Sequence, residues 1–323
     1  VLASASWRLT RPLRFLRRVA TNAQHAQAWN PLRWPTLIGQ VVRTVRTRGF
    51  RGALLRAQQD RSQPPPTPLD IAPITDSDDA TAPASMPRAA RPQASIVIPI
   101  HNKWAYTAAC LRSLASTRCK AGFEVIVVDD ASSDGSFEKL QAIEGLDAVR
   151  NEENLGFIGS CNRGAEKAVG EFVVMLNNDT QVLDGLLDAL LETFEEFPDT
   201  GLAGARLVYP DGRLQPLNRR HPTVCDLFLR RFLPSALHPA FQRRLAAYEM
   251  MDVGYDHDYD VPFMSGALMF CRTGVLKKTR GFDERFFLYF EDFDLSRRLA
   301  AACDHCGKKR HHCRGNRTTL HLH

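Results

Sequence analysis

The chain has 323 residues, of which 44% are hydrophobic, and a formal net charge of +6. This composition suits a soluble globular protein with room for one large domain or two smaller ones. It contains no uninterrupted apolar run long enough to span a bilayer, and no apolar secretory core follows the basic N-terminus.

The charge is unevenly spread. Residues 1–61 hold twelve Arg and a single acid, Asp60, a net +11, and the tail from Cys303 has five Lys or Arg against Asp304, a net +4. The body between them is therefore at −9. Basic ends on an acidic body suit attraction to an anionic surface, lipid or nucleic acid, or a solvated basic face. Five of the eight Cys (Cys110, Cys119, Cys161, Cys225, Cys271) lack paired spacing, as in a reducing compartment.

In chain order, residues 36–57 place Ile38, Val41, Val42 and Val45 at helical spacing among arginines. Such a basic amphipathic helix lies on a membrane surface or packs on the protein's own body. Residues 62–93 are a Pro-rich, low-complexity linker. Beyond it, "SIVIPI" (95–100) and "EVIVVD" (124–129) predict buried strands. Between them Thr107, Cys110, Leu111 and Leu114 predict an amphipathic helix. Strand, helix and strand at this length predict a parallel crossover. A helix over 159–169, the strand "EFVVML" (171–176), a Leu-rich helix from Leu183 to Phe194 and the strand "LAGARLVY" (202–209) continue the pattern. Residues 212–259 read as loops and short elements, and "GALMFC" (266–271) returns to strand character. The fold class is α/β with a mostly parallel sheet.

In such sheets ligands bind at the carboxyl ends of the strands. Pro99, His101 and Asn102 end the first, Asp129 and Asp130 the second, and Asn177, Asn178 and Asp179 the third. Asn and Asp also favour turns for reasons of their own, which explains any one of these ends better than all three. Neither GxGxxG nor GxxxxGK[ST] occurs, so Rossmann and P-loop readings lose their support. A divalent cation on oxygen ligands is another way to hold a diphosphate, and Asn177 and Asp179 could both contribute. Glu291, Asp292 and Asp294 are either catalytic carboxylates or an acidic helix start favoured by the helix dipole.

Four stretches in order, "IVIPIHNKWAYTAACLRSL", "VIVVDDASSDGS", "NLGFIGSCNRGAEKAVGEFVVMLNNDTQV" and "GFDERFFLYFEDFDLSRRL", resemble family 2 glycosyltransferases of the GT-A fold. They are most similar to the rhamnosyltransferase-like subgroup of bacterial polysaccharide synthesis. The resemblance covers residues 95–302 and implies a GT-A domain over 94–302, after a basic, partly helical region (1–61) and the linker. It implies inverting transfer of a sugar, with dTDP-rhamnose or a UDP-sugar favoured as donor, to a hydroxyl of a glycan or lipid-linked glycan. Pro99, His101, Asn102, Asp129, Asp130, Gly156, Asn162, Arg163 and Asn178 are implied in nucleotide-sugar binding, with Ser265 and Gly266 framing donor sugar and acceptor. Asp179, helped by Asn177, is the implied Mn²⁺ or Mg²⁺ ligand. Asp292 is the implied general base, with Glu291 beside it.

The expected setting is the cytoplasm, with peripheral contact at the inner face of the membrane. No nucleic-acid partner is expected, since no such motif is present. After Ala302 the chain departs from the family's pattern. The tail 303–323 carries three Cys and five His, including a CxxC at Cys303 and Cys306 of zinc-knuckle spacing. His321 or His323 is a candidate for the family's metal histidine. Loss of that ligand would leave a catalytically impaired descendant that binds nucleotide-sugar or glycan.

Overall fold

The computed structural model describes residues 80–209, 212–221, 223–232, 238–253, 258–262, 264–286 and 290–302, and the backbone of 310–322. The amphipathic stretch 36–57, most of the linker, the Cys303/Cys306 pair and His323 lie outside the described residues, as do the side chains of Cys313 and His321.

The elements run β1 (Ala94–Ile100), α1 (Trp104–Ser116), β2 (Phe123–Asp129), α2 (Ser136–Gln141), β3 (Leu146–Arg150), α3 (Gly156–Lys167) and β4 (Phe172–Leu176). They continue with β5 (Thr180–Val182), α4 (Leu186–Glu196), β6 (Thr200–Val208), α5 (Val224–Phe232), α6 (His238–Tyr248) and β7 (Tyr259–Asp260). Last come β8 (Leu268–Arg272), α7 (Thr273–Lys278), α8 (Glu291–Ala302) and β9 (Arg310–Leu322).

The apolar runs become strands buried on both faces, and their side chains alternate between two layers as a period of two requires. Ile96, Ile98, Ile100, Val125, Val127, Val174 and Leu176 face one layer, closed by α1 through Leu111 and Leu114 and by α4 through Leu187 and Leu190. Val97, Ile126, Val128, Val173 and Met175 face the other, closed by Cys161 and Ala165 of α3 and Leu295 and Leu299 of α8. Each leucine so enclosed stabilises the fold by about 1.5–3 kcal/mol relative to exposure. Helix α3 lies so close to β1 that a Cβ on Gly164 would stand 2.2 Å from Val97 Cγ1. Any side chain there would displace the helix whose first turn reaches the strand ends.

The strand order is β3-β2-β1-β4-β8-β6-β9-β5, with β7 against β9. β3, β2, β1 and β4 are parallel, as the sequence predicts. The other half is mixed: β8 is antiparallel to both β4 and β6, whereas β9 is parallel to β6 and antiparallel to β5. The chain leaves β6 on a long excursion and re-enters the sheet from that same end, which makes β8 antiparallel. Despite its change of composition, the tail joins the sheet, β9 pairing with β6 from Thr200↔Arg310 to Val208↔His321 with register shifts between Thr200 and Leu202 and between Ala205 and Arg206.

Candidate active site

The carboxyl ends of β1, β2, β3 and β4 share one edge, and a web of hydrogen bonds ties their loops together. Asn102 and Lys103, after β1, are consecutive left-handed residues with φ of 57° and 58°. Asn can adopt that conformation without great strain; for Lys it is uncommon. The turn brings the Asn102 N–H to Ser132 Oγ (2.8 Å) and its side-chain oxygen to the Ser133 N–H (2.8 Å). His101 donates from Nδ1 to the Asp130 carbonyl (2.7 Å), leaving Nε2 to accept from the Asn102 amide (3.1 Å). Pro99 sits inside β1, level with Val128.

Asp129 and Asp130 are both buried. Asp129 accepts from the Ser132 N–H (3.3 Å) and faces Arg150 at 3.6 Å. Asp130 accepts from the Leu155 and Gly156 N–H groups (2.8 Å each) and from the Asn151 amide (2.7 Å). It therefore satisfies donors at the start of α3, which carry partial positive charge. Asn151 also donates to Ser160 (2.9 Å) and accepts from Arg163 (2.9 Å). Asn162 is turned toward a distant loop, accepting from the Phe282 N–H (2.8 Å) and donating to its carbonyl (3.0 Å).

After β4, Asn178 donates to Thr107 on α1 (3.0 Å) and the Asn177 N–H donates to the Ala267 carbonyl (3.1 Å). Asn177 Oδ1 and Asp179 Oδ1 are buried with no hydrogen-bond partner. Burial pushes the Asp179 carboxyl above its ordinary range, against its own backbone hydrogen bond and the charge of Lys103. An unpartnered buried oxygen is costly unless something occupies it. Two such hard oxygens at a strand end fit a Mg²⁺ or Mn²⁺ ion that keeps most of its shell for water and phosphate. Among the described residues no three His, Cys, Asp or Glu side chains form a closed metal cage.

The acidic start of α8 divides into two kinds of carboxylate. Asp294 is paired with Arg298 (2.7 Å) and Arg297 (3.3 Å). Glu291 and Asp292 are half-buried and belong to no ion pair among the described residues. Burial raises the proton affinity of both, and for Glu291 the neighbouring Asp292 charge adds to it. Asp292 accepts from the Phe293 N–H (2.8 Å), and the Gly266 backbone lies beside it. Glu291 Oε2 is buried and unpartnered. Phe290, just before them, holds a φ of 69°, an outlier for a bulky residue of the kind found where function fixes the backbone.

Sequence reasoning singled out Ser265 and Gly266, which lie just before β8. It overlooked Asn151, Ser132 and Lys103. Asn151 follows β3, a short half-polar strand that the hydrophobic pattern does not reveal; noticing a fourth strand end would have found it.

Residues 95–278 match the family described as Glycosyl transferase family 2. Over 192 residues the chain is 29% identical to N-acetylglucosaminyl-diphospho-decaprenol L-rhamnosyltransferase of Mycobacterium tuberculosis, covering 55% of this chain and 61% of that protein. Over 110 residues it is 29% identical to GalNAc(5)-diNAcBac-PP-undecaprenol beta-1,3-glucosyltransferase of Campylobacter jejuni, covering 32% and 35%. The chain thus spans less than two thirds of either relative. Among solved structures, GalNAc-T7 with UDP, GalNAc and Mn²⁺ superposes with a TM-score of 0.51 at 16% identity, covering 72% of this chain and 44% of that one. This likeness establishes the GT-A fold. Among the described residues, no helix is long and apolar enough to cross a membrane.

Proposed function

The chain belongs to glycosyl transferase family 2, and we propose that it moves a sugar from a nucleotide-sugar to an acceptor hydroxyl with inversion at the anomeric carbon. The observation that carries this reading is the linkage of two desolvated acidic sites through one turn. Asn177 donates to Ala267, and the adjoining Gly266 backbone lies beside Asp292.

Inversion requires the acceptor oxygen to attack the anomeric carbon opposite the departing diphosphate, while a carboxylate within hydrogen-bond reach takes its proton. Asp292 fills that role. Its burial makes it a stronger base than a solvated Asp, and the Phe293 N–H fixes its direction. Glu291 orients the acceptor hydroxyl or Asp292 itself. Asn177 and Asp179 would hold Mn²⁺ or Mg²⁺, which when bound offsets the charge growing on the leaving diphosphate. The amide of Asn177 carries no net charge, so the chain itself lends that ion only one carboxylate at this motif.

Pro99, His101, Asn102 and Asn178, with Asp129, Asp130, Gly156, Asn162 and Arg163, shape the nucleotide pocket. The buried members act by holding the loops that face the donor. The donor in this reading is dTDP-rhamnose or a UDP-sugar and the acceptor a lipid-linked glycan; the tuberculosis relative's name, an L-rhamnosyltransferase of N-acetylglucosaminyl-diphospho-decaprenol, supports the rhamnosyl group and the lipid-linked acceptor. The test is a panel of dTDP-, UDP- and GDP-sugars with a polyprenyl-diphosphate glycan, with Mn²⁺ or EDTA. A new linkage of opposite anomeric configuration by NMR, formed only with metal, is the expected result. Retained configuration, or no transfer from any donor, would refute the reading.

A further inference from the structure

Between α3, whose start Asp130 holds, and α8, which carries the proposed base, lies a short loop over 279–284 that is gripped from both sides. Helix α7 ends there in two left-handed residues, Arg280 (φ 62°) and Gly281 (φ 63°), and the Gly281 N–H bonds back to the Leu276 carbonyl at 3.0 Å. From one side Asn162 of α3 takes the next residue by both backbone groups. It accepts from the Phe282 N–H (2.8 Å) and donates to the Phe282 carbonyl (3.0 Å), and it donates again to Glu284 (3.3 Å). With both its N–H groups engaged, the Asn162 amide has no donor to offer a phosphate. A Cβ on Gly281 would stand 2.3 Å from Asn162 Oδ1, so the loop meets α3 with no room for a side chain.

From the other side Arg298 of α8 donates to the Thr279 carbonyl (2.8 Å) and the Gly281 carbonyl (2.7 Å), which are left open where α7 ends. Its Nε donates to Asp294 (2.7 Å), one turn earlier, and the Asp294 N–H closes on the Phe290 carbonyl (2.9 Å). That first turn of α8 contains Glu291 and Asp292. Phe282 fills the space between the two helices. It is 2% exposed and lies in one apolar layer with Cys161 of α3 and with Leu295 and Leu299 of α8, its ring edge-on to Phe157 at 5.8 Å. One unbroken series of contacts therefore runs from Asn162 through Phe282, Gly281, Arg298 and Asp294 to the turn that holds Asp292.

We infer that Asn162 and Arg298 are positioning residues for the proposed base, clamping the loop 279–284 so that the start of α8 keeps one placement against α3. The inference rests on the transfer reading above. Helix α3 is then the common support of both halves of the site. Its start is tied by Asp130 to the strand ends, and its middle carries the base through the loop. A reacting group misplaced by about 1 Å loses about a hundredfold in rate, so the clamp acts on the transfer step more than on donor affinity.

The test is Asn162→Ala, measured for Tm, donor affinity and single-turnover transfer on one preparation, with amide hydrogen exchange alongside. The expected result is transfer slowed at least about tenfold at a donor Kd within about threefold of native, with faster exchange at the Phe282 and Asp294 amides. Arg298→Lys should show the same split, because a single ammonium cannot span Asp294 and both carbonyls as the guanidinium fork does. Gly281→Ala reports from the loop itself. It should slow transfer in the native chain and slow it less in the Asn162→Ala background, where the atom its Cβ would strike is gone. A native transfer rate in folded Asn162→Ala would overturn the inference whatever the change in Tm, by leaving the amide a purely structural bond. Loss of donor affinity with native exchange at Phe282 and Asp294 would overturn it as well, by making Asn162 a donor contact. A native chain that transfers nothing defeats the transfer reading and this inference with it, whereas native transfer with unaffected variants defeats the clamp alone.

Discussion

The Asn177 N–H donates to the Ala267 carbonyl at 3.1 Å. One residue earlier, the Gly266 backbone lies beside the Asp292 carboxylate. A single dipeptide between β7 and β8 thus joins the strand end that carries Asp179 to the helix start that carries the proposed base. The two are 113 positions apart in sequence, from 179 to 292. Their relative placement is a property of the folded sheet rather than of either motif.

Asp179 is held as a desolvated carboxylate with an unpartnered oxygen. Mn²⁺ with UDP or dTDP should raise the Tm of the native chain, by about 2.7 kcal/mol of stabilisation at a hundredfold excess over Kd. Asp179→Asn should abolish the metal-dependent part of that rise and cut turnover at least about tenfold. Its Tm without metal should be no lower than native, because a buried charge has been removed. An equal Mn²⁺ shift in both proteins would show that the ion binds elsewhere.

Burial raises the pKa of Asp292 and of Glu291. A base must be unprotonated, so the acid limb of kcat/KM should fall above the ordinary carboxylate value of about 4. The stability effect has the same origin. A folded-state pKa above the unfolded one gives a contribution fully present below the unfolded pKa and lost as pH rises through the folded value. Urea midpoints of the native chain should therefore decline over that window, and Asp292→Asn should flatten the decline. An acid limb at or below pH 4 would contradict the environment described.

Asp130 accepts three hydrogen bonds at 2.7–2.8 Å from Asn151, Leu155 and Gly156. Asp130→Ala leaves the Leu155 N–H without an acceptor and strips one bond each from Asn151 and Gly156, which keep Ser160 and Asn154, and should cost about 2–4 kcal/mol, read from the denaturant midpoint. If the midpoint held and only donor affinity fell, the carboxylate would be a direct ligand contact rather than a brace for the loop.

Much of this arrangement is written locally. The runs 95–100, 124–129 and 171–176 become β1, β2 and β4 within a residue at either end, because strands buried on both faces need continuous apolar sequence. Helix α3 begins at Gly156 rather than the expected Gly159, since its first turn is capped by Asp130, 26 positions earlier. β3 escaped notice because LDAVR is only partly buried. The site follows the same rule. Motif order pointed to Asp179 and Asp292, whereas the inward use of Asn162 depends on Phe282, 120 residues away. No local pattern records such a partner.

The most direct test of the proposed mechanism is single-turnover transfer by Asp292→Asn, measured with donor affinity on the same preparation. The substitution keeps the side chain's shape and an oxygen to accept from the Phe293 N–H and removes only the basic oxygen. The expected result is native donor Kd and a Tm no lower than native, with transfer slowed about 10²–10⁴-fold, the range a general base supplies. Transfer within about twofold of native at unchanged donor affinity would mean that another group takes the proton.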